Sequence, residues 1–458
     1  MSALSVNLDL VKKYNVPGPR YTSYPPATQF SQALAWPDLF EEISMNNRSG
    51  RGLSLYFHIP FCETLCWFCG CTTVITNNHG QAKAYLDHLE KEVRRMALLV
   101  DPRREVVQLH WGGGSPTFLE PEEIRRLGGI VRKHFKFSGT IEAGVEIDPR
   151  RLTREHLAAL REAGFNRASL GVQDFEPQVQ EAIHRIQPRE MTQRVLDWAR
   201  ELGFDSVNFD LIYGLPHQTA ETFNRTLDAV VEMAPDRLAV FSYAHVPWIK
   251  PAQKILEQKV LPTPETRLEL LKIVIERLTD SSRYVYIGMD HFARPADELV
   301  AAQRNKTLQR NFQGYSTRGN SDIYAFGMSA ISQTPGMYWQ NEKDLAAYYT
   351  GLDNGNGAFP RSYVLTDEDK IRRETIMRLM CHLSLDYRAL SQKLDILFEE
   401  HFAKELAALE PFEQDGLIRR LPGGLEVTDT GRLFIRNIVM CFDNTLASPK
   451  ERKFSKTI

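Results

Sequence analysis

The chain is short of several features that would each have assigned it a role. It has no basic surplus: 56 Lys and Arg stand against 58 Asp and Glu, a formal net charge of -2 at pH 7. Nucleic-acid binding, which draws on a cationic surface, gains no support from that balance. Nowhere do about 18 apolar residues follow one another, so no membrane-spanning helix is expected. The stretch from Met1 to Tyr14 carries Asp9, Lys12 and Lys13 and no apolar run, unlike a secretory signal. The expectation is a cytoplasmic protein with no nucleic-acid partner and no membrane. Cysteine is scarce as well, with 6 in 458 residues, and four of these fall between Cys62 and Cys71. Cys381 and Cys441 lie far off in helical, apolar contexts that suit buried core thiols. In a reducing compartment so tight a group suits a metal site better than a disulfide framework.

What remains is ordinary: 43% hydrophobic and 25% charged residues describe a globular protein. Residues 1–52 form an N-terminal arm and lead-in, proline-rich in YNVPGPRYTSYPPATQF, a composition that favours an extended strap. From about 53 to 246 short apolar runs alternate with amphipathic stretches. Strands are expected at Ser54–Ile59, Val106–Trp111, Ile141–Ile147, Arg167–Val172, Ser206–Ile212 and Leu238–Tyr243. Helices are expected at Ala82–Val100, Pro121–Phe135, Thr153–Ala163, Met191–Leu202 and Thr219–Met233. Such alternation predicts an α/β fold with a parallel sheet, and six units make an incomplete (β/α)6 barrel. The strands end in HIPFC, HWGGGSP, EIDPR, GVQDF, DLIYGLP and YAHVP, and in α/β barrels that rim carries the active site. An extension to about 350 follows, with a helix near Glu265–Thr279, a strand at YVYIG and a Gly- and Ser-rich segment, Gly314 to Thr334, expected to fold back over the barrel mouth. Residues 360–458 suggest a small, mainly α-helical C-terminal domain with a turn at LPGGL.

Cys62, Cys66 and Cys69 are spaced C-x3-C-x2-C directly after the first expected strand. A short loop of that kind can present one thiolate to each of three irons of a 4Fe–4S cubane, leaving the fourth iron open for a reactant. A zinc site would normally pair two short motifs across a longer loop, and no second pair is present. Cys71 could complete a four-cysteine zinc knot, but ten residues leave little loop for a tetrahedron. A ferredoxin-like run would use four thiolates and carry electrons only. At the other strand ends, Gly112, Gly113 and Gly114 allow close backbone approach to a ligand. Glu146 ends the third strand, Gln173 and Asp210 point to the rim, and Arg185 offers a fork that matches a carboxylate.

CETLCWFCGC after a first barrel strand resembles the signature of the radical S-adenosylmethionine enzymes. Within them, Cys71 together with HWGGGSPTFL, GVQDF, DLIYGLP and GMDHFARP resembles the oxygen-independent coproporphyrinogen III oxidases (dehydrogenases). The likeness runs from NVPGPRYTSYP to IRNIVMCFD, almost the whole chain. It implies a 4Fe–4S cluster on Cys62, Cys66 and Cys69, and S-adenosylmethionine held by Tyr56, Gly113, Gly114, Ser115, Glu146, Gln173, Arg185 and Asp210. Phe68, Cys71, Ala244 and Ile331 match the region of a second S-adenosylmethionine. The implied reaction is oxidative decarboxylation of two propionates of coproporphyrinogen III to vinyls, giving protoporphyrinogen IX for haem and porphyrin biosynthesis. An external electron donor of flavodoxin or ferredoxin type and a monomeric state are expected with it. Four propionates on the substrate give basic residues near the mouth an electrostatic task, and Arg20 and Tyr21 of the arm are the substrate candidates. Two rivals stand beside this reading. The related haem chaperones share the cysteine spacing but typically lack so long an arm. A non-catalytic iron–sulfur or zinc module would have no need of six rim motifs.

Overall fold

The computed structural model describes residues 4–355, 359–447 and 456–457. Six parallel strands follow in order: β1 (Gly52–Ile59), β2 (Glu105–Gly113), β3 (Lys136–Ile147), β4 (Arg167–Gln173), β5 (Ser206–Tyr213) and β6 (Arg237–Ser242). Between them run α1 (Gly80–Leu99), α2 (Pro121–His134), α3 (Arg154–Ala163), α4 (Arg189–Glu201) and α5 (Ala220–Met233), within one or two residues of the expected bounds. Their ends are set locally. Thr153 and Thr219 accept backbone N–H bonds as N-caps, Pro121 opens α2, and Gly164 closes α3 at φ 99°, in the left-handed region that favours glycine.

The strands have two unlike faces. On β4, Ala168, Leu170 and Val172 are buried under the helices, while Arg167, Ser169, Gly171 and Gln173 line an internal cavity. β5 repeats the pattern, with Val207, Phe209 and Leu211 outward and Ser206, Asn208 and Asp210 inward. A strand's side-chain period of two makes this split possible. The interior is therefore an open hollow in which charged and polar side chains stand among apolar wall, rather than the layered aliphatic plug of a closed barrel.

The sheet is larger than six strands. After α6 (Pro264–Thr279), β7 (Val285–Gly288) and β8 (His291–Ala293) add antiparallel beyond β6. On the opposite side come β9 (Ser321–Phe326), β10 (Ile331–Gln333), β11 (Met337–Gln340) and β12 (Arg361–Val364). The order is β12–β11–β10–β9–β1–β2–β3–β4–β5–β6–β8–β7, twelve strands that do not close. The Gly314–Thr334 segment thus departs from the expected fold over the mouth. Its apolar run Ile323-Tyr324-Ala325-Phe326 is buried and pairs parallel with β1, from Gly52 opposite Ser321 to Phe57 opposite Phe326, while the glycines serve the turns.

The N-terminal segment is more structured than its prolines suggested. It holds two helices, Leu8–Tyr14 and Trp36–Asn46, and docks on the C-terminal part of the chain. Tyr14 stacks on Phe412 at 4.8 Å, the hydroxyl of Tyr24 donates to Asn444 at 2.7 Å, and Arg436 donates to the Pro19 carbonyl at 3.0 Å. The C-terminal part opens with α7 (Asp367–His382) and contains further short helices. It also carries an antiparallel sheet of Ser384–Asp386, Ile418–Leu421 and Gly424–Val427, the last two joined at the expected LPGGL turn. Cys381 is buried in α7, whereas Cys441 is only half-buried. One apolar core runs through all these parts, from Val6 to Phe442.

A buried ion pair fixes β9 to the lead-in of β2. Asp322, fully buried, accepts from Arg104 Nη2 at 2.6 Å and from Arg51 Nε at 2.6 Å. Removing its charge leaves Arg104, buried as well, without its counter-ion. Asp322→Asn is expected to lower unfolding stability by about 3–5 kcal/mol in denaturant titration, since a broken buried pair exposes the full desolvation cost of the survivor.

Candidate active site

Past β1, Pro60 leads into a two-residue strand, Phe61–Cys62, which pairs with Val74–Ile75 and makes the cysteine loop a closed excursion. Its stems are tied by Val74 N–H to Pro60 O at 2.8 Å and Thr76 N–H to Cys62 O at 2.9 Å. Its far side is tied to the segment after β4. Trp67 N–H donates to Ile183 O at 3.1 Å, and the Trp67 ring stacks on His184 at 5.0 Å. Phe68 packs on the apolar cluster of Val179, Ile183 and Ile212. Cys62, Cys66 and Cys69, all free thiols, line one cavity of about 500 Å³, a volume in the range of small-molecule sites.

Among the described residues, no three His, Cys, Asp or Glu side chains converge closely enough to share one metal ion. A cubane asks for less convergence, because each thiolate meets a different iron. The surrounding charges suit an anionic cluster. Cys66 Sγ accepts from Arg150 Nη2 at 3.5 Å and Arg185 Nη1 at 3.6 Å. Asp148 steadies both guanidinium groups, at 2.6 Å from Arg150 and 3.2 Å from Arg185. Burial would raise the Asp148 carboxyl, but the two arginines outweigh it and hold it well below the usual carboxylate range. Burial pushes the Cys62 thiol up to about 12. The Cys69 thiol is pulled down to about 6, chiefly by the Cys71 thiol, with the Cys71 N–H at 3.4 Å and Lys250 adding to the effect. Cys71 thus meets the loop as a donor to Cys69, a different position from the other three cysteines. Lys250 Nζ also donates to the Cys71 carbonyl at 2.5 Å.

The glycine loop lies directly against this one. Gly114 N–H donates to Ile59 O at 2.8 Å and Ser115 N–H to Phe61 O at 2.9 Å. Such contact leaves no room for side chains. A Cβ on Gly114 would lie 2.4 Å from the Pro60 carbonyl oxygen, and one on Gly113, at φ +125°, would lie 2.8 Å from the His58 ring. Gly113 N–H donates to Glu146 Oε2 at 3.2 Å, and His110 sits 3.4 Å from Oε1. Enclosure would raise the Glu146 carboxyl, but His110 and the Gly113 N–H prevail and lower it. Gln173 ends β4 in the left-handed region at φ 68°, where the pairing with β5 shifts register. Deeper in the cavity, Asp210 accepts from Ser169 at 3.0 Å and Asn208 at 2.9 Å. Burial, with Glu146 nearby, raises it to about 6.

Of the sequence candidates, Phe68, Cys71, Gly113, Gly114, Ser115, Glu146, Gln173, Arg185 and Asp210 line the cavity with the three cysteines. Tyr56 stands behind them, stacked on His110 at 5.9 Å with its hydroxyl 3.2 Å from His58 Nδ1. Ala244 is exposed just past β6, and Ile331 begins β10, packed near Phe30 and Tyr338. Arg20 lies at the border, 3.3 Å from Asp290 and over the ring of cavity-lining Phe241. Tyr21 is 1% exposed, and its hydroxyl donates to Asp443 at 2.8 Å, which makes it an anchor of the arm. Sequence reasoning missed His110, Asp148 and Arg150, and deeper down Gln108, Glu142 and Arg167. Their signal was nevertheless present. Buried parallel strands normally read as continuous apolar runs, whereas QLHWG, EAGVEID and RASLGVQ alternate polar with apolar.

The contact between the two loops gives a sharp expectation. Gly114→Ala must push the glycine loop off Pro60; with that loop as the S-adenosylmethionine seat that the sequence resemblance implies, affinity for it should fall by about tenfold or more. Equilibrium binding to the reconstituted protein would measure it, with circular dichroism showing the fold intact.

The Radical SAM superfamily profile matches residues 56–230, and the HemN C-terminal domain profile matches residues 365–434. The oxygen-independent coproporphyrinogen III oxidase of Synechocystis sp. is 46% identical over 98% of this chain and 97% of its own. That of Escherichia coli K12 is 46% identical over 99% of this chain and 98% of its own. A solved structure of coproporphyrinogen III oxidase from Escherichia coli, described as a radical SAM enzyme, superposes with a TM-score of 0.92 at 45% identity, covering 97% of this chain and all of that one. With a polar cavity, a three-thiol loop at its mouth and relatives matched from end to end, the chain belongs to the oxygen-independent coproporphyrinogen III oxidases of the radical SAM superfamily.

Proposed function

We propose that the cavity is the active site for oxidative decarboxylation of two propionates of coproporphyrinogen III to vinyls, with Cys62, Cys66 and Cys69 holding a 4Fe–4S cluster. The observation that carries this reading is the donor set: three thiols on one wall of a polar cavity, beside Arg150 and Arg185. A cluster held by these cysteines, together with S-adenosylmethionine, would supply the radical chemistry needed for hydrogen abstraction at a propionate β-carbon. The chain's own groups bind, orient and enclose. Gly113 and Gly114 let backbone approach the methionyl end, and Glu146, kept ionised, accepts from its amino group. Arg185 suits the methionyl carboxylate. Gln173 and Asp210 offer partners to ribose hydroxyls, Asp210 beside the Ser169 and Asn208 donors. Tyr56 keeps His110 in place behind Glu146. Phe68 and Cys71 border the space for a second S-adenosylmethionine, with Ala244 and Ile331 beyond it.

The arm and the C-terminal part share one core with the barrel, and in this reading they keep water from reactive species. The electron donor in this reading is an external flavodoxin or ferredoxin, and the enzyme is a cytoplasmic monomer. No helix among the described residues is long and apolar enough to cross a membrane. Anaerobic reconstitution with iron and sulfide tests the proposal. Supplied with S-adenosylmethionine, coproporphyrinogen III and a reductant, the protein should form 5′-deoxyadenosine and vinyl product together. If it forms neither, the proposed reaction is wrong.

A further inference from the structure

The cavity has a second end. Ser316 Oγ accepts from Gln108 Nε2 at 3.1 Å, and Gln108 stands five residues before Gly113 on β2. At about 3.3 Å per residue, roughly 17 Å of strand separates this floor from the glycine loop. The floor is closed by a small ribbon, Gln309–Asn311 against Gly314–Ser316, in which Arg310 pairs directly with Tyr315. Residues directly opposite in an antiparallel pair share a face. Tyr315 lines the cavity, and Arg310, just behind the lining residues, holds its guanidinium over that ring at 4.9 Å.

Arg310 is 7% exposed, and its Nε and Nη1 are buried without a partner. The arginines around it are all occupied. Arg20 faces Asp290 at 3.3 Å, Arg436 donates to the backbone carbonyls of Gly18, Pro19, Lys456 and Thr457, and Arg432 donates to Tyr286 O and Gln303. Asp290 is ion-paired with Arg20, although its buried Oδ2 has no hydrogen-bond partner. His291, 5.3 Å from Tyr315 ring to ring, lines the cavity and has a buried Nδ1 that is also unpartnered. Burial, with Arg310 adding to the effect, holds His291 down to about 4, so it is neutral at pH 7 and the positive charge here is Arg310's. A ring face offsets only part of the desolvation of a buried cation. What Arg310 lacks is an anion that accepts from its planar fork.

We propose that Arg310, with the His291 ring beside it, is a carboxylate-binding subsite at the cavity floor that takes one unreactive propionate of the porphyrinogen. The inference rests on the reaction proposed above. A propionate under attack belongs at the cysteine-loop end, and a macrocycle reaching from there to the floor presents one of its other carboxylates to Arg310. The methionyl carboxylate of S-adenosylmethionine offers the same chemistry, so the test separates the two sources.

Arg310→Met keeps the volume and removes the charge, while Arg310→Lys keeps the charge and loses the fork. In reconstituted protein, R310M should weaken coproporphyrinogen III by about tenfold or more, in KM and in equilibrium binding, with S-adenosylmethionine affinity within about twofold of wild type. R310K should fall between. A porphyrinogen with alkyl groups in place of the unreactive propionates should bind wild type and R310M alike. Because the free protein carries this cation unpaired, R310M should unfold at the same or a higher temperature than wild type when substrate is absent. Unchanged porphyrinogen affinity, a loss confined to S-adenosylmethionine, or a lowered unfolding midpoint, the mark of a merely structural arginine, would each overturn the subsite. Should wild type itself show no turnover, the proposed reaction fails, while equilibrium binding still decides on Arg310.

Discussion

Charged and polar side chains on the inner face of β2–β6 have to be kept in a hollow that most parallel barrels fill with aliphatic groups, and the rest of the structure follows from how they are paired. Burying a charge costs several kcal/mol unless it is met by an opposite charge or a hydrogen bond. Here most of the bonds run across neighbouring strands: Gln108 to Glu142, Ser169 to Asp210 and His110 to Glu146. Others reach beyond the barrel, as Arg237 does to Asp297. The outward faces of the same strands are apolar and carry the helices, so one sheet holds both the hydrophobic core and the polar cavity. Glu142 and Arg167 each keep one partnerless atom in this arrangement, whereas Arg310 is a buried cation with two.

The mouth depends on the same economy of contact. Cysteine loop and glycine loop are joined backbone to backbone at Ile59 and Phe61, with Gly114 packed on Pro60. Neither loop can move without the other. The three thiols and the glycine loop are thereby held close together, and in the proposed reaction such positioning lowers a barrier. Asp148 extends the coupling by holding Arg150 and Arg185 beside Cys66.

Much of this was legible in the sequence, and the failures have physical causes. The six strands and five helices of the barrel carried strong periodicity and cap residues, so their positions followed directly, except that β3 starts at Lys136 and not at Ile141 because its first residues still pair with Glu105 and Val106 of β2. The cysteine spacing and GGG motif are local and chemically distinctive. The arm misled because prolines speak only for their own neighbours, whereas Tyr14, Tyr21 and Tyr24 are buried by partners some 400 residues away. The Gly314–Thr334 segment misled in the same way. Its glycines signal turns, whereas the parallel pairing of its apolar run with β1 across some 270 residues leaves no local trace. Asp148 and Arg150 sit within EIDPR, a rim motif already noted, yet their role depends on a sulfur more than 80 residues away.

The central claim is that three cysteines, and not the fourth, hold the cluster, and iron content after anaerobic reconstitution tests it most directly. Cys71→Ala should retain about four irons per chain, while Cys62→Ala, Cys66→Ala and Cys69→Ala should each lose most of theirs. Loss of iron from Cys71→Ala together with retention in any of the other three would contradict the account.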